Sequence, residues 1–183
     1  MISNDSLVLL KAIHFSADKH RDQRRKNVEA SPYINHPIDV AEMLARVGKV
    51  ENLDVIVAAI LHDTIEDTDT TPEEIESLFG KRVLSLVQEV TDDKSLPKSV
   101  RKQLQVLHAP HKSPGAKLIK IADKISNLLD LAHSPPVTWS HQRKLEYIDW
   151  SEQVVSGLRG SNTRLDELFD QVVAKVREKL AED

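Results

Sequence analysis

Between Leu53 and Leu61 the chain reads LDVIVAAIL, apolar nearly all round, and HDTIEDT follows with no intervening turn residue. A segment this apolar must be buried, so the fold has to bring an imidazole and several carboxylates to the edge of its own core. A buried parallel strand and a buried helix both fit the run. It is long for one strand, and no other segment reads as a strand that could pair with it, so the pattern predicts a helix.

The rest of the chain carries helical signals. Leu7, Leu10, Ile13, Phe15 and Ala17 mark a first helix from about Ser6 to His20. The loop NVEASPYINHP follows, and a second helix starts at Pro37 with Gly48 as its stop. Thr71, Pro72 and Glu74 form a capping-box start, Gly80 ends that short helix, and Val83, Leu84, Val87 and Val90 mark the next. Further helices are expected from about Pro97 to His108, Pro114 to Ala132, Thr138 to Leu158 and Asn162 to Leu180. The last presents Leu165, Leu168, Phe169, Val172, Val173 and Val176 as an ordinary core stripe. The expected class is all-α, and 183 residues without repeats suit one domain over 1–183.

Composition removes several chemistries. There are no cysteines, so disulfides, thiolate nucleophiles and Cys-based metal sites are excluded, and any metal must use His, carboxylate or water. The net charge of -4 argues against general attraction to nucleic acid or anionic lipid. No apolar run approaches the roughly 20 residues needed to span a bilayer. The opening MISNDSLVLLKAIHF lacks the basic start and small-residue cleavage site of a signal peptide. A cytoplasmic protein with a small-molecule substrate is expected, with no nucleic acid, no membrane and no evident partner protein.

The chemistry concentrates in LHDTIEDT, residues 61 to 68. His62, Asp63, Glu66 and Asp67 stand at i, i+1, i+4 and i+5, which on one continuous helix is an arc of roughly 140°. Acids at a helix C-terminus oppose its dipole, and a bound cation would reverse that penalty. Neutral imidazole with carboxylate suits manganese, iron or zinc. The plainer alternative is a solvated acidic helix end. His36, in NHP, reads as a cap or packing residue or as a group aimed into a cleft. Asp123, with Asn127, Asp130 and Lys120 near it on one face, reads as a solvent-facing polar stripe or as a ligand. Arg21, Arg24, Arg25 and Lys26 read as a solvated surface or as the best local candidate for steering phosphate, and Trp139, Arg143 and Tyr147, at steps of four, read as a packing stripe or as one that could stack on a base and hold a phosphate.

Taken together, His36, the His62–Asp63 pair and Asp123 resemble the spaced H…HD…D pattern of the HD phosphohydrolase superfamily. The chain is most similar to the hydrolase domain of the Rel/Spo alarmone family, through RRK at 24 to 26, YINHP at 33 to 37, LHDTIEDT at 61 to 68 and IADKISN at 121 to 127. The likeness runs on through TDDKSLPK, SPGAKLIKIADK and the helix holding Tyr147, so nearly the whole chain resembles the stand-alone small alarmone hydrolases, their animal homologues included. That resemblance implies a helical bundle of about ten helices. It implies that His36, His62, Asp63 and Asp123 ligate one Mn²⁺, other divalent ions being possible, and that Glu66 and Asp67 orient and deprotonate the attacking water.

It implies too that Arg25, Lys26 and Asn127 line the nucleotide site, that Tyr147 lies in the substrate pocket, and that Lys98, Trp139 and Arg143 contribute to binding. The reaction implied is removal of the 3′-pyrophosphate of guanosine tetra- or pentaphosphate, giving GDP or GTP and pyrophosphate, with the chain ending too soon for a synthetase or regulatory domain. Two alternatives stand beside it: removal of the 2′-phosphate of NADPH, as by animal homologues, and a silent nucleotide-binding module. The chain departs from the family at Leu129, where an Arg is common, at Asn27 after RRK, and at Ser126, which replaces a larger ring.

Overall fold

The computed structural model describes residues 3–182, which form ten α-helices and one 3₁₀ turn. They are α1 (Asn4–Lys19), α2 (Asn35–Arg46), α3 (Leu53–Leu61), α4 (Thr64–Asp67), α5 (Pro72–Phe79), α6 (Lys81–Val90), α7 (Lys98–His108), α8 (Pro114–His133), α9 (His141–Ser156) and α10 (Thr163–Glu182). The 3₁₀ turn, Ala109–His111, joins α7 towards α8. No strand occurs among the described residues, whose only ladder-like pairing is an isolated antiparallel bridge between Arg24 and Pro32. The all-α class is as the sequence predicts.

Local chemistry starts many of these helices. The side chains of Ser3, Asn52, Thr71, Ser113 and Ser140 each accept a hydrogen bond from a free N–H of the helix they precede, a cap worth about 1 kcal/mol apiece. At Thr71 the box is complete, because Glu74 reaches back to the Thr71 N–H at 2.8 Å. Gly80 closes α5 with φ 89°, a conformation a side chain would resist.

Gly48 serves differently from its expected role as the left-handed stop of α2. The residue with positive φ is Lys49, at 52°. A Cβ on Gly48 would stand 2.8 Å from the Leu44 carbonyl oxygen and 3.3 Å from Leu165 of α10. What position 48 requires is close approach, and its carbonyl accepts from Asn162 Nδ2 at 2.8 Å, tying α2 to the start of α10.

The core is built around α3 and α8. Helix α2 packs on both, α1 and α6 flank α3, and α10 lies along α8. The apolar run behaves as predicted, with Val55, Val57, Ala58, Ala59, Ile60 and Leu61 buried. The helix does not continue through Asp67, however. It ends at Leu61, Asp63 adopts φ -102° and ψ -2°, and α4 restarts at Thr64. Thr64 Oγ1 donates to the Leu61 carbonyl at 2.7 Å, taking an acceptor the helix would otherwise use. The arc that His62, Asp63, Glu66 and Asp67 would share on one continuous helix is therefore replaced by a kink.

The second departure concerns α8. Lys120, Asp123, Lys124 and Ser126 are buried with the Ile and Leu residues around them, so the polar stripe faces inward rather than to solvent. Lys120 Nζ donates to the Val90 carbonyl at 3.0 Å, which satisfies an open carbonyl at the C-terminus of α6.

Residues 20–34 form a strap over one end of the bundle. Arg25 N–H donates to the Ser31 carbonyl at 2.9 Å and Tyr33 N–H to the Gln23 carbonyl at 3.1 Å. Asn27 closes the loop through Ser31, and Ala30 takes the left-handed turn at φ 47°. Gln23 and Tyr33 are thereby set side by side.

Phe169, fully buried on α10, heads the large side chains of the core. Phe169→Ala should cost about 3–5 kcal/mol of unfolding free energy, read as a lower urea midpoint with an unchanged slope.

Candidate metal centre and substrate cleft

Three elements converge on one point. α2 supplies His36 from its first turn, the kink after α3 supplies His62 and Asp63, and α8 supplies Asp123 from its middle. His36 Nε2 lies 3.2 Å from Asp123 Oδ1 and 3.8 Å from Asp63 Oδ2. His62 Nε2 lies 3.0 Å from Asp63 Oδ2 and 3.9 Å from Asp123 Oδ1. Two ligands bonded at about 2.1 Å to one cation can be no more than about 4.2 Å apart, and all four separations meet that bound. Among the described residues the jointly clustered set is His36, His62 and Asp123, with ligand atoms all within 4.8 Å of one another and exposures of only 3%, 1% and 6%, and Asp63 stands outside that set.

The hydrogen bonds around the rings decide which nitrogens face the centre. His62 Nδ1 is 2.7 Å from the Ala59 carbonyl, which can only accept, so Nδ1 carries the proton. In the neutral ring Nε2 is then a bare lone pair, buried, without a donor, and turned towards the Asp63 carboxylate. His36 Nδ1 is likewise occupied by Ser126 Oγ at 3.0 Å, leaving its Nε2 for the same point. A lone pair facing an anion in a dry site is unfavourable unless a cation or a proton stands between them. The donor set fits a divalent cation.

Without a cation, protonation must do that work. Burial opposes a charge on His62, but the Asp63 and Asp123 carboxylates outweigh it and push the ring up to about 9. Burial dominates at His36 and lowers it. Burial would raise both carboxyls, yet the His62 ring beside Asp63 and the Lys124 ammonium beside Asp123 hold them well below the usual range. Lys124 is itself buried, with Nζ 3.1 Å from Asp123 Oδ2, and this leaves Oδ1 turned to the imidazoles.

A divided cleft adjoins the centre. One cavity of about 270 Å³ is lined by Arg25, Lys26, Tyr33, Asn127, Trp139 and Tyr147 among others. A second, of about 590 Å³, is lined by Lys26, Lys94, Lys98, Arg101, Lys102 and Arg143, with Glu66 and Asp67. Lys26, Asp67, Trp139 and Tyr147 line both. The candidate ligands lie behind this cleft, one hydrogen bond away. Tyr33 Oη donates to Asp63 Oδ2 at 2.6 Å, and Asn127 Nδ2 to Asp123 Oδ1 at 2.6 Å.

Two aromatic rings stand where the cavities meet, and both cavities share them. Trp139 and Tyr147 lie with ring centroids 5.3 Å apart, and the Arg143 guanidinium sits over Trp139 at 4.6 Å. The larger cavity is cationic. Burial and the neighbouring charges of Arg143, Lys26 and Arg101 push the Lys98 ammonium down, a repulsion that an anion in the cavity would relieve.

Glu66 lies in this wall, raised by burial although the Asp92 N–H donates to its Oε2 at 2.9 Å. Asp67 accepts from Gln23 Nε2 at 3.2 Å and pairs with Lys94. The kink thus sends Asp63 to the imidazoles and Glu66 and Asp67 to the cleft.

All seven substrate-binding residues expected from the sequence line one or both cavities. Arg25 is not free, since Nε is bonded to Asp130 at 2.9 Å and Nη2 to Asn127 at 2.9 Å. Sequence reasoning assigned no role to Tyr33, Ser126, Lys124, Gln23 or Arg101. Tyr33 stands three residues before His36, and Lys124 is adjacent to Asp123, which are the only local hints. Ser126 was noted as a departure, and here it orients His36.

Residues 12–148 match the family model described as HD domain. A Danio rerio protein named guanosine-3′,5′-bis(diphosphate) 3′-pyrophosphohydrolase MESH1 is 54% identical over 94% of this chain and 96% of its own length. The Homo sapiens protein of the same name is 54% identical over 91% and 93%. A solved structure, described as a metazoan ortholog of SpoT that hydrolyzes ppGpp and plays a role in starvation responses, matches with a TM-score of 0.90. It is 42% identical and covers 96% of this chain and 97% of that one.

A cation at His62 must displace the proton held there below about pH 9. Divalent-cation affinity should therefore rise with pH from 6 towards 9, measured by calorimetry on chelator-treated protein, and His62→Gln should flatten the rise. In the cation-free protein the same ring stabilises the fold fully below its unfolded value near 6.5. That contribution is lost as pH climbs through about 9.

Proposed function

The chain belongs to the HD-domain family, and on that premise we propose that residues 1–183 form one phosphohydrolase domain removing the 3′-pyrophosphate of guanosine tetra- or pentaphosphate. The observation that carries this reading is the buried, partnerless Nε2 of His62 between two carboxylates, behind a cleft whose two cavities share Trp139 and Tyr147 and whose larger cavity is rich in cations. Close relatives bearing the name of that activity support the choice of substrate.

His36, His62, Asp63 and Asp123 would hold one Mn²⁺. When bound, such an ion supplies Lewis-acid polarisation of a phosphoryl oxygen and a lowered pKa for water, from 15.7 towards about 7. Asp67 and Glu66 orient the attacking water. Glu66, whose carboxyl is raised by burial, then takes the proton at a carboxylate oxygen. The bond between the 3′-oxygen and its phosphorus breaks, the water oxygen remains on the released pyrophosphate, and the 3′-oxygen is protonated as it leaves.

The cleft supplies position. Trp139 and Tyr147 offer faces for a base, while Lys26, Lys98 and Arg143 offer charge to phosphate. Arg25 holds Asn127, which holds Asp123, so the nucleotide wall and the metal centre share one chain of hydrogen bonds.

Purified protein with Mn²⁺ should release pyrophosphate from guanosine tetraphosphate, and a chelator should stop it. Orthophosphate from NADPH, without pyrophosphate from the alarmone, would replace this reading with the 2′-phosphatase one. Asp63→Ala should abolish turnover. Glu66→Gln should lower kcat by about 10²–10⁴-fold with little change in cation affinity.

A further inference from the structure

The side chains that hold Asp67 are more ordered than a cleft-wall acid requires. Gln23 Nε2 donates to Asp67 Oδ2 at 3.2 Å, and Gln23 Oε1 lies 2.7 Å from Nδ1 of His20. An amide that turns its NH₂ to a carboxylate must turn its oxygen the other way, and only a donor can meet that oxygen. His20 therefore carries its proton on Nδ1, and the hydrogen bonds run in one direction, His20 to Gln23 to Asp67.

While the strap is closed, packing holds His20 in this arrangement. Its side chain is buried and its ring packs on Tyr33 with centroids 4.9 Å apart. Tyr33 is the residue that donates to Asp63. The backbone of the strap joins the two donors directly, because Tyr33 N–H bonds the Gln23 carbonyl. One strap thus grips two acids with different tasks. The remaining contact of Asp67, from Lys94, comes from a half-exposed side chain screened by water.

We propose that Gln23 is a positioning residue for hydrolysis, keyed by His20, which fixes the Asp67 carboxylate towards the attacking water. This rests on the role given to Asp67 above. Gln23 acts on the orientation of one acid and not on the cation, since it touches none of the four ligands.

The test compares Gln23→Met, similar in size but without donors, with His20→Asn, whose Nδ2–H can stand where the imidazole Nδ1–H stood, and His20→Ala, which cannot donate. For Gln23→Met, kcat for pyrophosphate release should fall about 10–100-fold, with KM and calorimetric Mn²⁺ affinity within about twofold of the parent. His20→Asn should recover most of the kcat that His20→Ala loses. A purely structural role would lower Mn²⁺ affinity together with kcat, and that result overturns the proposal, as does equal loss in the two His20 variants. Should Gln23→Met not fold, the His20 pair decides alone. Asp67→Asn is measured alongside. If it loses kcat while Gln23→Met keeps it, only the positioning role falls; if Asp67→Asn itself keeps kcat, the role of Asp67 and the proposal built on it fall together.

Discussion

Two imidazoles turned towards two carboxylates in a dry interior set the terms for the rest of this molecule. Each ring is committed at Nδ1, His62 to the Ala59 carbonyl and His36 to Ser126, so that both Nε2 atoms are presented at one point. Such a cluster is costly to bury and is stable only when something positive completes it. The elements that deliver it, α2, the kink after α3 and α8, are the ones most deeply packed into the core. Rigidity there keeps the ligand atoms together against the mutual repulsion of like groups.

Much of this was legible in the chain. The apolar run, the capping boxes and the absence of pairing partners give an all-α bundle, and the position of every long helix follows from periodicity. What periodicity does not convey is which side of a helix is inside. Lys120, Asp123 and Asn127 on α8 read equally as a wet face, because a charged residue signals solvent unless its partner is known, and the partners lie on α2 and α6. The kink at His62–Asp63 was hidden for a related reason. Propensity runs straight through LHDTIEDT, and the break depends on Thr64 turning its hydroxyl back to Leu61. Ser126 shows the limit most plainly, since a residue marked as a departure is the one that meets His36 Nδ1.

The distribution of charge follows from the same economy of space. The chain carries a net charge of -4, yet six cationic side chains line the larger cavity. Glu66, Asp67, Asp92 and Glu146 line it too, so the cations are in excess by two, and low-dielectric walls focus that local positive field on an approaching polyanion. Burial depresses Lys98 and Lys102, and the repulsion of neighbouring cations adds to the effect. An anionic ligand in the cleft would relieve that repulsion.

The backbone ladder of the strap, residues 20–34, is a single bridge, whereas the helices beneath it are bonded along their whole length and packed in the core. Segments of that kind open at a free energy well below that of global unfolding. When the strap opens, Tyr33 and Gln23 release Asp63 and Asp67 in one event while the bundle stays folded. Heat should therefore silence this protein before it melts it, and the gap between loss of turnover and loss of helicity measures how weakly the strap is sewn on.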